Sequence, residues 1–351
     1  MTTTQLPTYK PKDFATDQDV RWCPGCGDYA VLKAVQKALA GQGIRREDYV
    51  FVSGIGCAAR FPYYMETYGM HSIHGRAPAF ATGVKLANPD LQVWLVSGDG
   101  DLLSIGGNHT MHAMRRNVDI NIILLNNRVY GLTKGQYSPT SEFGKVTKST
   151  PMGSVDYPIN PLNMAVAAGA TFIARCLDLD VPMLVGLMER AAAHKGLAFI
   201  EVLQDCNIFN HAAWFHASQK DQRADNTVAL EHGKPVIFGA NRDKGIRPFK
   251  GRLHVVELGH GIEEEELLLH DETERGKAYL LSQMAPPDFP EPLGVIYNSE
   301  DRRTYESLVH DQLREAEERR GKGDLNKLLR DTDTWVVERE SEDHVEVGGY
   351  E

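Results

Sequence analysis

The chain has 351 residues, 42% hydrophobic and 25% charged, with a formal net charge of -10. That length and balance suit a globular protein able to bury a sizeable core, and the acidic surplus argues against broad nucleic-acid or membrane-surface binding. No apolar run approaches the ~18–20 residues of a membrane span. The polar start MTTTQLPTYKPKDF also lacks a hydrophobic stretch behind a basic segment, so a cytoplasmic protein without a secretion signal is expected.

Residues 1–22 read as an N-terminal arm. RWCPGCGDYA (21–30) then sets Cys23 and Cys26 on either side of Pro-Gly. Such a pair serves a redox dithiol, half a zinc site or half an iron–sulfur site. A thioredoxin-type dithiol should follow a strand, and TYKPKDFATDQDVRW does not read as one. The next stretch, 28–39, spaces Val31, Leu32, Val35 and Leu39 on one helical face, with Gly41 as the stop.

Four apolar, β-branched runs follow: 49–57 (YVFVSGIGC), 92–100 (QVWLVSGDG), 120–127 (INIILLNN) and 198–206 (AFIEVLQDC). Each ends abruptly in glycine, polar or thiol residues. Runs of this kind suit strands buried on both faces of a parallel sheet. Stretches 107–116 and 160–169 supply crossover helices, which predicts an α/β fold with an open, mostly parallel sheet. Ligands of such sheets sit beyond the carboxyl ends of the strands. Cys57, Asp99, Asn127 and Cys206 each lie at such an end, so they are expected along one edge.

SGDGDLLSIGGNHTMHAMRRNVDINIILLNN (97–127) carries the most specific chemistry. Gly98 and Gly100 permit a tight turn and a close approach of backbone N–H groups to a diphosphate. Asp99 offers a carboxylate oxygen, Asn127 an amide oxygen and Val129 a carbonyl, the hard oxygen donors that Mg²⁺ takes. The strand–GDG–helix–strand–NN arrangement resembles the signature of thiamine-diphosphate enzymes. That resemblance implies a second, pyrimidine-binding domain with an activating carboxylate. After residue 210 the chain turns charged and Pro-containing, without a second strand–helix series, so that domain is expected on a partner polypeptide.

Three further cysteines stand alone: Cys57, Cys176 and Cys206. An odd count in a reducing compartment argues against a disulfide framework, and spacing alone leaves a Cys₄ zinc site and a [4Fe–4S] site equally open. Cys176, in TFIARCLDL, reads as a buried apolar thiol.

In order, CPGCGD, SGIGC, HGR, SGDGD, GGNH, NN, YGLTKGQ, SPTS and QDC together resemble the β subunit of a 2-oxoacid:ferredoxin oxidoreductase, over roughly residues 15–300. The resemblance implies the thiamine-diphosphate-binding fold, Mg²⁺ on Asp99, Asn127 and Val129, and one [4Fe–4S] cluster on Cys23, Cys26, Cys57 and Cys206. It places cofactor contacts at Ile55, Gly56, Cys57 and Ala58, at Gly98 through Asp101, and at Gly131 and Leu132. The implied activity is CoA-linked oxidative decarboxylation of a 2-oxoacid to an acyl-CoA and CO₂. An α subunit supplies the complementary domain and ferredoxin takes the electrons; neither nucleic acid nor membrane is an expected partner.

Lys134, in the loop YGLTKGQYSPTSEFG, suits a second substrate carboxylate and favours 2-oxoglutarate over pyruvate or branched 2-oxoacids. A non-oxidative thiamine-diphosphate subunit with structural zinc is the alternative. His71 and His74 in GMHSIHGRA are further expected donors to a substrate, His74 the stronger through its HGR context. NRDKGIRPFKGR (241–252) is locally basic and reads as a solvated loop or a docking point. The expected organisation is an arm (1–22), a cofactor-binding α/β domain (23–230) and an irregular, α-containing C-terminal extension (231–351).

Overall fold

A computed structural model describes residues 7–259, 261–330, 335–341 and 344–349. The chain forms two compact units, Met1–Glu306 and Ser307–Glu351. The first is built on an eight-stranded sheet. Seven of its strands are β1 (Tyr49–Ser53), β2 (Tyr68–His71), β3 (Gln92–Gly98), β4 (Asn121–Asn126), β5 (Phe172–Leu177), β6 (Ala198–Leu203) and β7 (Thr227–Ala229). The eighth comes much later in the chain, after a three-stranded antiparallel sheet of β8 (Ile237–Phe238), β9 (Lys244–Phe249) and β10 (Arg252–Glu257); it is β11 (Glu291–Asn298). Strand order is β2-β1-β3-β4-β6-β5-β11-β7, parallel throughout except where β11 runs antiparallel to β5.

The four runs expected as strands are β1, β3, β4 and β6, the four adjoining the expected ligand edge. Alternate residues feed two cores, as a sheet covered on both faces requires. Val50, Val52, Ile122 and Leu124 pack with α2 (Ala77–Ala87), α3 (Gly107–Arg116) and α4 (Pro161–Ala168). Tyr49, Phe51, Ile123 and Leu125 pack with α1 (Asp28–Gly41) and α5 (Val181–Ala193). The helices start and stop where side chains satisfy their free ends. Asn160 caps α4 by accepting from the Asn163 amide, Asp180 caps α5 by accepting from Met183, and Gly169 closes α4 at φ 84°.

β1 leads through Ala58–Tyr64 to β2 on one side, whereas β3 leads through α3 to β4 on the other. The chain thus diverges between β1 and β3, the switch point at which open α/β sheets leave a crevice. The second unit contains most of the helix Tyr305–Arg320, a short helix Leu325–Leu329 and an antiparallel hairpin of Trp335–Ser341 with His344–Gly349. None of the described helices is long and apolar enough to cross a membrane.

Candidate functional site

The crevice between β1 and β3 is a cavity of about 180 Å³. Its walls are the strand-end segments Ile55–Ala58 and Gly98–Asp101, with Asn127, Val129 and Tyr130–Thr133 from the segment after β4. Every cofactor-contact residue expected from sequence lines it, as does His74. Lys134 does not; it is exposed, one position beyond the lining, in the left-handed conformation at φ 75°. His71 is also outside, its Nδ1 3.0 Å from the Ala59 carbonyl and 3.3 Å from Ser53 Oγ.

β3 passes into helical backbone at Asp99 without a loop, and Asp101–Ile105 forms a π-turn in which Gly106 N–H donates to the Asp101 carbonyl (3.1 Å). Widened turns of this kind recur at functional sites. Gly100 is needed for a reason the sequence did not reveal. A Cβ there would stand 2.3 Å from the Tyr130 ring, whose hydroxyl donates to the Gly100 carbonyl at 2.8 Å.

Asp99 is buried, and its Oδ2 receives hydroxyl donors from Ser138 and from Thr140, the latter at 2.6 Å. Burial pushes its carboxyl up to about 6, with the two hydroxyls pulling the other way. Behind it runs a buried polar chain. Thr140 Oγ1 lies 2.8 Å from Asn126 Oδ1, and Asn126 Nδ2 donates to Glu201 Oε1 at 2.7 Å. Arg175 then bridges Glu201 (2.8 Å) and Glu291 of β11 (2.5 Å). Asn127 accepts from Val129 N–H at 3.2 Å, and its carbonyl accepts from Asn210 at 2.9 Å. This arrangement keeps Asp99, Asn127 and Val129 on the wall of one cavity. Carboxylate, amide and carbonyl oxygens there form a donor set that fits Mg²⁺.

Asp101 is the second buried carboxylate. Its Oδ1 accepts from Gly75 N–H (2.7 Å), Ile55 N–H (3.1 Å) and His74 Nδ1, and its Oδ2 from Ser97 (2.6 Å). A Cβ on Gly54 would meet Asp101 Oδ2 at 1.8 Å, so glycine at 54 is what lets β1 close over it. With Nδ1 engaged, His74 keeps Nε2 for another partner.

The thiols expected to act together share a neighbourhood. The Cys26 N–H donates to the Cys23 carbonyl (3.0 Å) across Pro24 and Gly25 (φ 81°), a type II turn. A Cβ on Gly131 would stand 3.6 Å from Cys206 Sγ and 3.8 Å from Cys57 Sγ, so both sulfurs approach one cavity-wall residue. Cys57 itself lines the cavity. All five cysteines are free. Burial, the Asp28 carboxylate and the neighbouring Cys206 and Cys23 push the Cys57 thiol up to about 12, and burial, Asp28, Cys206 and Cys57 raise Cys26 further. Thiols so placed give up their protons only to a strong positive centre. Among the described residues, no three His, Cys, Asp or Glu side chains converge at the spacing of a single metal ion. Cys176 is buried in β5, away from this group, as an apolar thiol.

Asp28, Tyr130, Thr133, Ser138 and Thr140, given in the sequence only as members of CPGCGD, YGLTKGQ and SPTS with no role assigned, join the site. Asp28 opens α1, lines the cavity and is buried; burial and Asp178 raise it to about 7. Its position directly after the CPGCG turn was the available signal. Two cations of the basic stretch 241–252 pair with acids outside it: Lys244 with Asp225 at 2.7 Å and Arg247 with Glu266 at 2.5 Å.

Residues 54–202 match the family described as "Thiamine pyrophosphate enzyme, C-terminal TPP binding domain". The chain is 49% identical over 348 residues to 2-oxoglutarate oxidoreductase subunit KorB of Mycobacterium tuberculosis, covering 96% of this chain and 90% of that relative. It is 50% identical over 221 residues to the 2-oxoacid:ferredoxin oxidoreductase subunit beta of Sulfolobus sp, covering 62% of this chain and 71% of the relative. Among solved structures it resembles 2-oxoglutarate:ferredoxin oxidoreductase from Magnetococcus marinus with 2-oxoglutarate, coenzyme A and succinyl-CoA bound. The TM-score is 0.73 and the identity 31%, over 93% of this chain and 96% of that one.

Proposed function

The chain belongs to the β-subunit family of the 2-oxoacid:ferredoxin oxidoreductases, and from that premise we propose that it is the β subunit of a 2-oxoglutarate:ferredoxin oxidoreductase. The proposed reaction converts 2-oxoglutarate and CoA to succinyl-CoA and CO₂, releasing one proton and passing two electrons singly through one [4Fe–4S] cluster to ferredoxin. When bound, thiamine diphosphate supplies the electron sink for decarboxylation. The observation that carries the reading is Cys57, which lines the cofactor cavity and also approaches Cys206 across Gly131. One residue thereby belongs to both the carbon chemistry and the electron exit.

In this reading Asp99, Asn127 and the Val129 carbonyl hold Mg²⁺. Ile55–Ala58, Gly98–Asp101, Gly131 and Leu132 flank the diphosphate cofactor. Cys23, Cys26, Cys57 and Cys206 hold the cluster. His74, oriented by Asp101, offers Nε2 to a substrate oxygen, and Lys134 pairs with the distal carboxylate. The partner subunit brings the complementary domain and its activating carboxylate.

The test is anaerobic purification with the partner subunit, followed by ferredoxin reduction with 2-oxoglutarate, pyruvate and branched 2-oxoacids, with and without CoA. The reading expects a brown complex, bleached on reduction, that turns over 2-oxoglutarate fastest and only with CoA. Faster turnover of pyruvate overturns the substrate assignment. A colourless complex with stoichiometric zinc overturns the redox one.

A further inference from the structure

Gln204 is the first residue after β6, between the sheet and Cys206, and its side chain is fully buried. Its Nε2 lies 2.7 Å from the Asp205 carbonyl and 3.3 Å from Cys26 Sγ. A carbonyl oxygen only accepts, so the amide atom facing it must be nitrogen. That fixes the orientation without appeal to the sulfur, and the second N–H of the same nitrogen is then directed at Cys26.

The other half of the amide has nothing. Gln204 Oε1 is buried and has no hydrogen-bond partner among the described residues. A buried acceptor left bare is a standing cost to the fold, and turning the amide over would set oxygen against the Asp205 carbonyl. The backbone holds the residue in this arrangement as well. Gln204 N–H donates to the Asn126 carbonyl at 3.0 Å. A Cβ on Gly27 would stand 3.0 Å from Gln204 Cγ and 1.9 Å from Asp178 Oδ2. Only glycine lets the start of α1 press the CPGC turn onto this amide.

We propose that Gln204 is a positioning residue for the Cys26 sulfur, whose N–H···S hydrogen bond raises the reduction potential of the cluster; this rests on the cluster reading above. The physical reason is electrostatic. A donor at a ligand sulfur withdraws electron density and stabilises the reduced, more negative cluster over the oxidised one. The buried, unpaired oxygen is what the fold tolerates to keep the donor in place.

The experiment replaces Gln204 in the complex with its partner subunit. Gln204→Met keeps the volume and removes the donor; Gln204→Glu keeps the shape and exchanges the donor for an acceptor. Iron and sulfide content, thiamine-diphosphate binding and the cluster midpoint from an EPR-monitored redox titration are read for each. Both variants should bind thiamine diphosphate as wild type does and show a midpoint shifted to more negative potential, the larger shift in Gln204→Glu. An iron-loaded variant with the wild-type midpoint overturns the assignment. An iron-free wild-type complex overturns the cluster reading itself, an outcome the iron assay separates from the first.

Discussion

At Asp99, one carboxylate oxygen is occupied by two hydroxyls that arrive from 39 and 41 residues further along the chain. Asp99→Ala should abolish Mg²⁺-dependent thiamine-diphosphate binding in equilibrium dialysis while leaving the iron content unchanged. Thr140→Val should weaken that binding by roughly ten- to hundredfold, the worth of a hydrogen bond to a charged group. Thr140→Ser should restore it, and equal loss in both would refute a positioning role for the hydroxyl. Lys134→Met should lower the preference for 2-oxoglutarate over pyruvate in competition assays with the partner subunit; an unaltered ratio removes Lys134 from substrate choice. The fold also stakes stability on a histidine remote from the site. His270 Nε2 donates to the Val295 carbonyl at 2.8 Å, while Nδ1 is buried without a partner among the described residues, and burial holds its pKa below the usual value. The unfolded chain therefore binds the extra proton first, and stability should fall as pH drops below about 6.5. Thermal melts of His270→Gln across that range should show a shallower fall; an identical profile would assign the acid sensitivity elsewhere. That Asp99, Asn127 and Cys57 share one cavity wall was legible because each ends an apolar strand run, whereas the spacing of the thiols left zinc and iron–sulfur equally open. Ser138, Thr140 and Gln204 stood in the SPTS and QDC motifs, but their contacts were not legible, since their partners are fixed only once separate strands lie side by side.

Among the elements, the legible strands were those buried on both faces with unbroken apolar runs. β2, YGMH, escaped notice because it is an exposed edge strand of only four residues. β5 carries Arg175 at its centre, which breaks the apolar pattern; the residue is tolerated there only because Glu201 and Glu291 neutralise it. β11 opens on Glu-Pro after a proline-rich approach, and its two neighbours, β5 and β7, lie more than sixty residues earlier. Those two facts explain each other, since the buried Glu291 that obscures β11 is the partner Arg175 requires. Arg175→Met should cost about 3–5 kcal/mol in urea unfolding, because it strands two buried carboxylates. Replacing all three residues together with apolar side chains of similar volume should recover most of that loss. If the single change proves neutral, the ion pairs contribute little and β11 is held by its apolar contacts alone.

For the whole molecule, the sheet order does what no single motif could. Placing β1 beside β3, with their onward connections leaving in opposite directions, opens the crevice that GIGC and GDG then line from two sides. Asp101 fastens the two sides together through Ile55, His74, Gly75 and Ser97. The polar chain from Asp99 through Thr140, Asn126, Glu201 and Arg175 ends on Glu291, at the start of a strand laid down almost 200 residues later. Whatever binds at Asp99 stabilises only molecules in which that chain is intact, in proportion to RT ln(1 + [L]/Kd). Loading Mg²⁺ and thiamine diphosphate should therefore slow amide hydrogen exchange in residues 291–298, and Arg175→Met should uncouple the two; equal exchange with and without cofactor would break the link. The last strand of the main sheet to be made then becomes a gauge of its cofactor: its solvent protection reports, from across the sheet, whether the site has been filled.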